Sequence, residues 1–474
     1  MPMVRPWEGL RELCHKYGDI LGMTIMGSPV VVLNSANDIS QYLDGHSATT
    51  SSRPRSASQE LLDLTGLFAF MPYGPEWRLH RRTMWQYFTP TAVTKYIPAI
   101  QTSSRITLHK LLEAPDRFEE HFQDSVGATL MKVVYGLDAK YENDESLMTI
   151  DKGLESGRES LVPGRFLVDV IPILRFLPPF FPSQKRFSRL REQTARMYDM
   201  PYSLHKAAAM RGDMGDCILS DMLSQFTSKP DDNIYDPTVN PVGDRVARGV
   251  TAVTFAAGSD TTCAVLKTFV LAMSLNPDVL KRAHAETDAV VGPTRLPDLE
   301  DRDALPYVYA MYLETLRWMQ VVPLGLAHNT TEDEQFGDYF VPAGTMILAN
   351  IWACMHDPNT YHEPASFAPE RFLRDGKLDP EVRNPNDFVF GFGRRICPGR
   401  HYAESDIFLT MAHIIHVFDI RPPVDEDGRE VAIEPRMVNG FVSWPEDCRC
   451  RITPRTPHAA TLIVDEFAQR LNQG

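Results

Sequence analysis

Residues 390–399 read FGFGRRICPG. Taken as F-x-x-G-x-R-x-C-x-G, the stretch specifies Phe390, Gly393, Arg395, Cys397 and Gly399. Five fixed residues at this spacing arise by chance in roughly one such chain in ten thousand on average residue usage. That rarity sets this loop apart from the other six cysteines, whose spacings form no regular framework. An isolated buried cysteine is ordinarily a small apolar filler. Here glycines flank it, and glycine lets backbone approach a neighbour closely.

The decapeptide resembles the cysteine loop of the cytochrome P-450 family. The resemblance runs from about residue 6 to 455 and is strongest to fungal members of the microsomal type. It implies a mainly α fold with a small β-rich part, one large domain over residues 1–474, and haem b (iron protoporphyrin IX) as cofactor. Cys397 would then be the axial ligand of the haem iron. Coordination holds a thiol as thiolate, and the thiolate pushes electron density onto the iron and favours O–O cleavage. Gly393 and Gly399 would bring backbone close to the porphyrin and the sulfur, with amides tuning the sulfur's donation. Arg395 would reach a haem propionate, and Phe390 would shield the thiolate from water.

Upstream, Pro241 and the Asn276-Pro277 pair bracket a single long helix over 241–275. AGSDTT, residues 257–262, sits in its middle. A glycine there costs about 1 kcal/mol relative to alanine, and a threonine hydroxyl can bond back one turn and bend the helix. The expectation is a notch for dioxygen. In the family this match makes Thr261 the residue that guides protons during oxygen activation and Asp260 the acid that supplies them.

The spacing E-x-x-R occurs five times, at Glu8, Glu155, Glu314, Glu426 and Glu446. Only Glu314–Arg317 lies in a helical stretch at a family-like distance before the cysteine loop, with both side chains on one face. FAPERF, residues 367–372, then supplies Arg371. The resemblance makes Glu314, Arg317 and Arg371 a structural ion network. It also makes Trp77 and Arg81, in EWRLHRR, and His328, in VPLGLAHNTTED, binders of the haem carboxylates.

The wider sequence is consistent with one domain. Residues 75–325 are mostly helical in pattern, while residues 1–60 and 335–365 carry most of the strand signals, including a hairpin turn at Gly27-Ser28-Pro29. Lys229 to Pro241 reads as an exposed loop. No repeat and no interdomain linker is visible. The net charge of −14 and the lack of a basic stripe argue against nucleic acid. Cys448 and Cys450 lack the partner pair of a zinc site.

By resemblance the substrate lining comes from TGLFAFMPY (65–73), Phe255 and Ala256, VVPLGLA (321–327) and VNGFV (438–442). Phe68, Phe70, Phe255, Ala256, Val322, Leu324 and Phe441 are its candidate residues, and their character implies a small hydrophobic substrate. No flavin or ferredoxin module is visible, so either electrons come from a separate protein, NADPH-cytochrome P-450 reductase by resemblance, or peroxide replaces them. Arg78, Arg82, Arg394 and Arg400 form a candidate docking face. Residues 161–182, LVPGRFLVDVIPILRFLPPFFP, hold five prolines and cannot form a spanning helix. They are either a loop dipping into a membrane surface or a buried irregular segment. The resemblance implies the cytosolic face of the endoplasmic reticulum. No run of 18 apolar residues predicts the anchor that the resemblance implies, so the expectation is either a truncated sequence or a soluble or peripheral form. Oxygen-dependent monooxygenation, in secondary metabolism or xenobiotic oxidation, is the leading reading. Peroxide-driven or isomerase-type haem-thiolate chemistry is the alternative, and a haem-based gas sensor lacks signalling elements.

Overall fold

Asn240, Pro241 and the Asn276-Pro277 pair bracket one unbroken 35-residue helix in the computed structural model, which describes residues 2 and 4–471 apart from 26, 140–143, 162–164, 214 and 228–232. Among the described residues the helices of twelve residues or more are, in chain order, α1 (Pro6–Tyr17), α2 (Pro75–Tyr87), α3 (Ile97–Glu113), α4 (Phe118–Tyr135), α5 (Glu145–Leu161), α6 (Pro182–Arg211), α7 (Pro241–Leu275), α8 (Pro277–Val290), α9 (Pro306–Trp318), α10 (Arg400–Val417) and α11 (Pro457–Leu471).

The central helix α7 begins where the Asn240 side chain accepts from the Gly243 amide and Pro241 occupies the first turn, a position where its missing N–H costs nothing. It ends where Asn276 Nδ2 donates to the Ala272 carbonyl at 2.8 Å. Val246, Val250, Phe269, Val270 and Met273 are fully buried. They pack α7 against α2, α4, α6, α9 and α10. A helix apolar on every side belongs in a core. No single helix among the described residues is long and apolar enough to cross a membrane.

The β-rich part draws on both ends of the chain. Strands β1 (Ile20–Ile25) and β2 (Ser28–Leu33) pair antiparallel around Gly27, which adopts φ +85°. Strand β3 (His328–Asn329) precedes a hairpin of β4 (Glu334–Phe336) and β5 (Tyr339–Val341), and β6 (Met346–Ala349) follows. The main sheet has the order β1-β2-β6-β3, with β2 parallel to β6 and β3 antiparallel to it. Leu10, Val30, Val32 and Leu348 form its apolar cluster. A separate pair, residues 418–421 with 451–454, lies near the C-terminus.

Of the 161–182 stretch, residues 162–164 lie outside the described residues, as do 229–232 of the loop before α7. From 165 to 181 the chain forms only short helical turns, as its prolines require. It is not a buried irregular segment. Leu167, Ile173, Phe176 and Phe180 are 68–70% exposed, while Phe166 and Val168 point inward.

Candidate active site

The cysteine loop is a tight turn leading into α10. The Cys397 amide donates to the Phe390 carbonyl at 2.7 Å and closes it. Gly391 and Gly393 hold φ of +80° and +52°, the left-handed region that favours glycine. The expected reason for Gly393 needs correction. A Cβ there would lie 2.6 Å from the Leu43 carbonyl oxygen, and its amide donates to Asp44 at 2.6 Å. Gly393 therefore docks the loop on residues 43–47 and does not line the cavity. Gly399 does line it. Burial pushes the Cys397 thiol pKa up, and the Gly399 amide, which bonds its sulfur, opposes this together with the Arg81 and Arg400 charges.

Above the loop lies a cavity of about 410 Å³, a size usual for a small-molecule site. Cys397 and Phe390 share it with Trp77 and Arg81 of α2, Ala256, Asp260 and Thr261 of α7, and with Phe68, Phe70, Val322, His328 and Phe441. Two expected lining residues are absent from it. Phe255 points away from the cavity-facing residues of α7 and packs near the Tyr135 ring on α4, at 6.5 Å. Leu324 packs on the sheet cluster, because Gly325 at φ +61° turns the chain so that Gly325 and Leu326 face the cavity instead.

One wall of the cavity carries an excess of positive charge. Arg395 donates Nε to Ser51 O at 2.7 Å, Nη1 to Phe68 O at 3.2 Å and Nη2 to Met71 O at 2.7 Å, and its guanidinium stacks on Trp77 at 4.3 Å. Three of its five N–H donors are thus used on backbone. Arg53, which the sequence reading missed, donates to the carbonyls of Ala69, Leu326 and Ala327. Its Nη2 has no protein acceptor among the described residues. His328 Nδ1 donates to Thr50 O at 3.0 Å. Burial, then mutual repulsion, pushes Arg53 and His328 well down and lowers Arg395 to about 9. Arg81 falls to about 10, chiefly by burial. Asp260, the only carboxylate lining the cavity among the described residues, is engaged elsewhere. Buried cations without counterions are costly, so this wall fits a ligand that brings its own carboxylates. A porphyrin with two propionates meets that description, and Cys397 lines the same cavity.

On the opposite wall, α7 stays helical through 257–262. The small residues Ala256, Ala257 and Gly258 line the cavity there, and the helix backbone is not broken. A Cβ at Gly258 would lie 3.1 Å from Leu130 Cδ1 of α4, a tight contact that the leucine side chain would have to relieve. The Thr261 hydroxyl donates to Ala257 O at 2.7 Å, leaving its oxygen able to accept. Asp260 pairs with Arg158 of α5 at 3.1 Å. Burial raises its carboxyl to about 6, with Arg158 opposing. Arg158 belongs to one of the E-x-x-R copies set aside in sequence, and nothing in that motif signals its role here.

Glu314, Arg317 and Arg371 do meet. Glu314 Oε1 and Oε2 accept from Arg317 at 2.8 and 2.7 Å and from Arg371 Nε at 3.1 Å each. The Ala368 amide adds 2.8 Å. Arg317 reaches the carbonyls of Met355, Pro364 and Ser366, and Arg371 those of His362 and Ser366. Glu314 and Arg317 are fully buried.

The family model described as Cytochrome P-450 matches residues 4–445. The chain is 36% identical over 470 residues to the cytochrome P-450 monooxygenase COX2 of Coprinopsis cinerea, covering 98% of this chain and 88% of the relative. It is 33% identical to the cytochrome P-450 monooxygenase ple1 of Rhodocybe pseudopiperita, covering 98% and 88%. It is 32% identical to the cytochrome P-450 monooxygenase ppsD of Aspergillus oryzae, covering 96% and 86%. A match of this extent, over a cavity that joins a loop cysteine to an acid–threonine helix, shows that the chain belongs to the cytochrome P-450 family of haem-thiolate monooxygenases.

Proposed function

We propose that the chain holds haem b with Cys397 as its axial thiolate ligand and oxidises a small hydrophobic molecule with O2, in fungal secondary metabolism or xenobiotic oxidation. The observation that carries this is the wall of buried Arg53, His328 and Arg395 and half-buried Arg81 facing the Cys397 cavity, with no carboxylate of its own among the described residues. Arg81, Arg53 and His328 would hold the propionates, with the donors that Arg395 keeps after serving Ser51, Phe68 and Met71. The Trp77 ring supports Arg395. His328 spends its Nδ1 proton on Thr50, so it binds a carboxylate only when Nε2 is protonated, which a neighbouring anion favours. Phe390 screens the sulfur, and the Gly399 amide moderates its basicity. The trio Glu314, Arg317 and Arg371 fixes the segment that leads to the loop.

Haem, when bound, supplies the iron at which dioxygen is reduced and activated. The protein's part on that side is proton management. Asp260, with a carboxyl near about 6, can give and regain a proton near neutral pH. Thr261, one position on, accepts hydrogen bonds from its α7 site. Phe68, Phe70, Ala256, Val322 and Phe441 make an apolar surround that excludes water and binds an apolar skeleton.

Electrons come from NADPH-cytochrome P-450 reductase. Arg78, Arg82 and Arg394 are exposed. Arg78 and Arg394 both approach the Tyr73 ring, at 5.6 and 5.2 Å, and Arg400 lies over Trp85. These charges on α2 and the cysteine loop give an acidic partner a cationic surface close to the haem ligand. The exposed apolar residues between 165 and 181 give peripheral contact with a membrane, the cytosolic face of the endoplasmic reticulum. The acid–threonine pair favours the oxygen-dependent route over peroxide-driven or isomerase chemistry. In a reconstitution with reductase, NADPH and isotopically labelled O2, the product is expected to carry one labelled oxygen atom. Product formed only with added peroxide, and unlabelled from O2, would overturn the reading.

A further inference from the structure

Arg158 is a further cation displayed to the cavity, outside the Arg53, Arg81, His328 and Arg395 group that would meet the haem carboxylates. It lines the cavity from α5, on the same wall as Leu154 and Leu161. Its side chain is one-third exposed, and only Nη1 has a hydrogen-bond acceptor, Asp260 at 3.1 Å. The Trp444 ring covers the guanidinium at 5.7 Å. Its Nε and Nη2 have no acceptor among the described residues. The adjacent residue is Gly157, which also lines the cavity, and a Cβ there would meet nothing within 4 Å. Space for a ligand therefore continues to the backbone beside the guanidinium.

Charge decides what can complete this site. Asp260 already balances Arg158, so the pair is neutral as it stands. A carboxylate on the ligand would leave the group with a net negative charge beside Leu154, Leu161 and the Trp444 ring, or would force a proton onto Asp260. Burying an unbalanced charge costs far more than burying a paired one. A neutral acceptor oxygen takes the idle N–H groups without changing the charge. We propose that the substrate carries a carbonyl or hydroxyl oxygen on an apolar skeleton and that Arg158 receives it, fixing which part of the molecule faces Asp260 and Thr261. This rests on the monooxygenase reading and deepens it by naming the substrate class. Arg158 is then a positioning and specificity residue.

The test is a double-mutant cycle in which ligand and protein each lose one partner. The probes are α-decalone, its parent decalin, and decalin carboxylate, with dissociation constants taken by equilibrium dialysis on haem-loaded protein. Each preparation is first reduced under carbon monoxide. Absence of the thiolate band there would defeat the underlying reading and this inference with it. With the band present, wild type should bind decalone about tenfold more tightly than decalin, the worth of one hydrogen bond to a charged donor. In Arg158→Met the ratio should fall to about one, with decalin affinity changed less than about twofold. Arg158→Lys keeps the charge beside Asp260 but loses the fork, and should retain only part of the preference. A ratio near one in wild type, a preference that survives Arg158→Met, or tighter binding of the carboxylate than the ketone in wild type would each overturn this inference alone.

Discussion

Asp260 is 9% exposed, and burial lifts its carboxyl from 3.8 to about 6. A carboxyl raised in this way ionises more readily in the unfolded chain. The native state therefore loses stability as pH climbs from about 4 to about 6, and the penalty stays constant above that. Two pKa units correspond to roughly 3 kcal/mol at most, with the opposing effect of Arg158 already included. Asp260→Asn removes the penalty and the proton donor together. The variant should melt at or above the wild-type temperature at pH 7, with the gap shrinking below pH 6 and closing near pH 4. Turnover should fall by about a hundredfold. A variant that is less stable than wild type at pH 7, or turns over normally, would contradict this account of Asp260. Cys397, Asp260 and Thr261 were legible because rare residue combinations mark them. Arg53 and Arg158 were not, because what singles them out is a three-dimensional charge imbalance that no local spacing encodes.

The network around Glu314 binds α9 to the chain between 355 and 371. Removing the carboxylate strands Arg317 and Arg371, at a cost of about 3–5 kcal/mol. Glu314→Ala should yield little soluble, haem-loaded protein. The exposed Glu155→Ala, in another copy of the same motif, should retain both haem content and yield. Full haem occupancy in Glu314→Ala would refute the assignment. The bounds of α7 could be read from Pro241 and Asn276-Pro277, since capping is local chemistry. Which of its faces lines the cavity could not. Phe255 turns to Tyr135 because α4 packs there, and Leu324 turns to the sheet because Gly325 reverses the backbone. Gly393 shows the same limit, since its partner at Leu43 lies some 350 residues away in sequence.

The molecule as a whole presents an apolar rim between α5 and α6 and a cationic patch beside the cysteine loop. Proline density in 161–182 excluded a spanning helix, but only the packed structure separates Phe176 and Phe180, which are exposed, from Phe166, which is not. Each large apolar side chain moved into lipid is worth roughly 1.5–3 kcal/mol. Phe176→Asp with Phe180→Asp should weaken co-flotation with lipid vesicles at least about tenfold while leaving the haem spectrum intact. Unchanged flotation would remove the membrane assignment. The claim on which the rest depends is the bond between the Cys397 sulfur and iron. Its most direct measurement is the absorption of the purified, dithionite-reduced protein under carbon monoxide. The wild-type chain should give the strongly red-shifted Soret band of a thiolate-ligated haem, and Cys397→Ala should lose it. The same band in the alanine variant, or a wild-type polypeptide that takes up no porphyrin, would contradict the account.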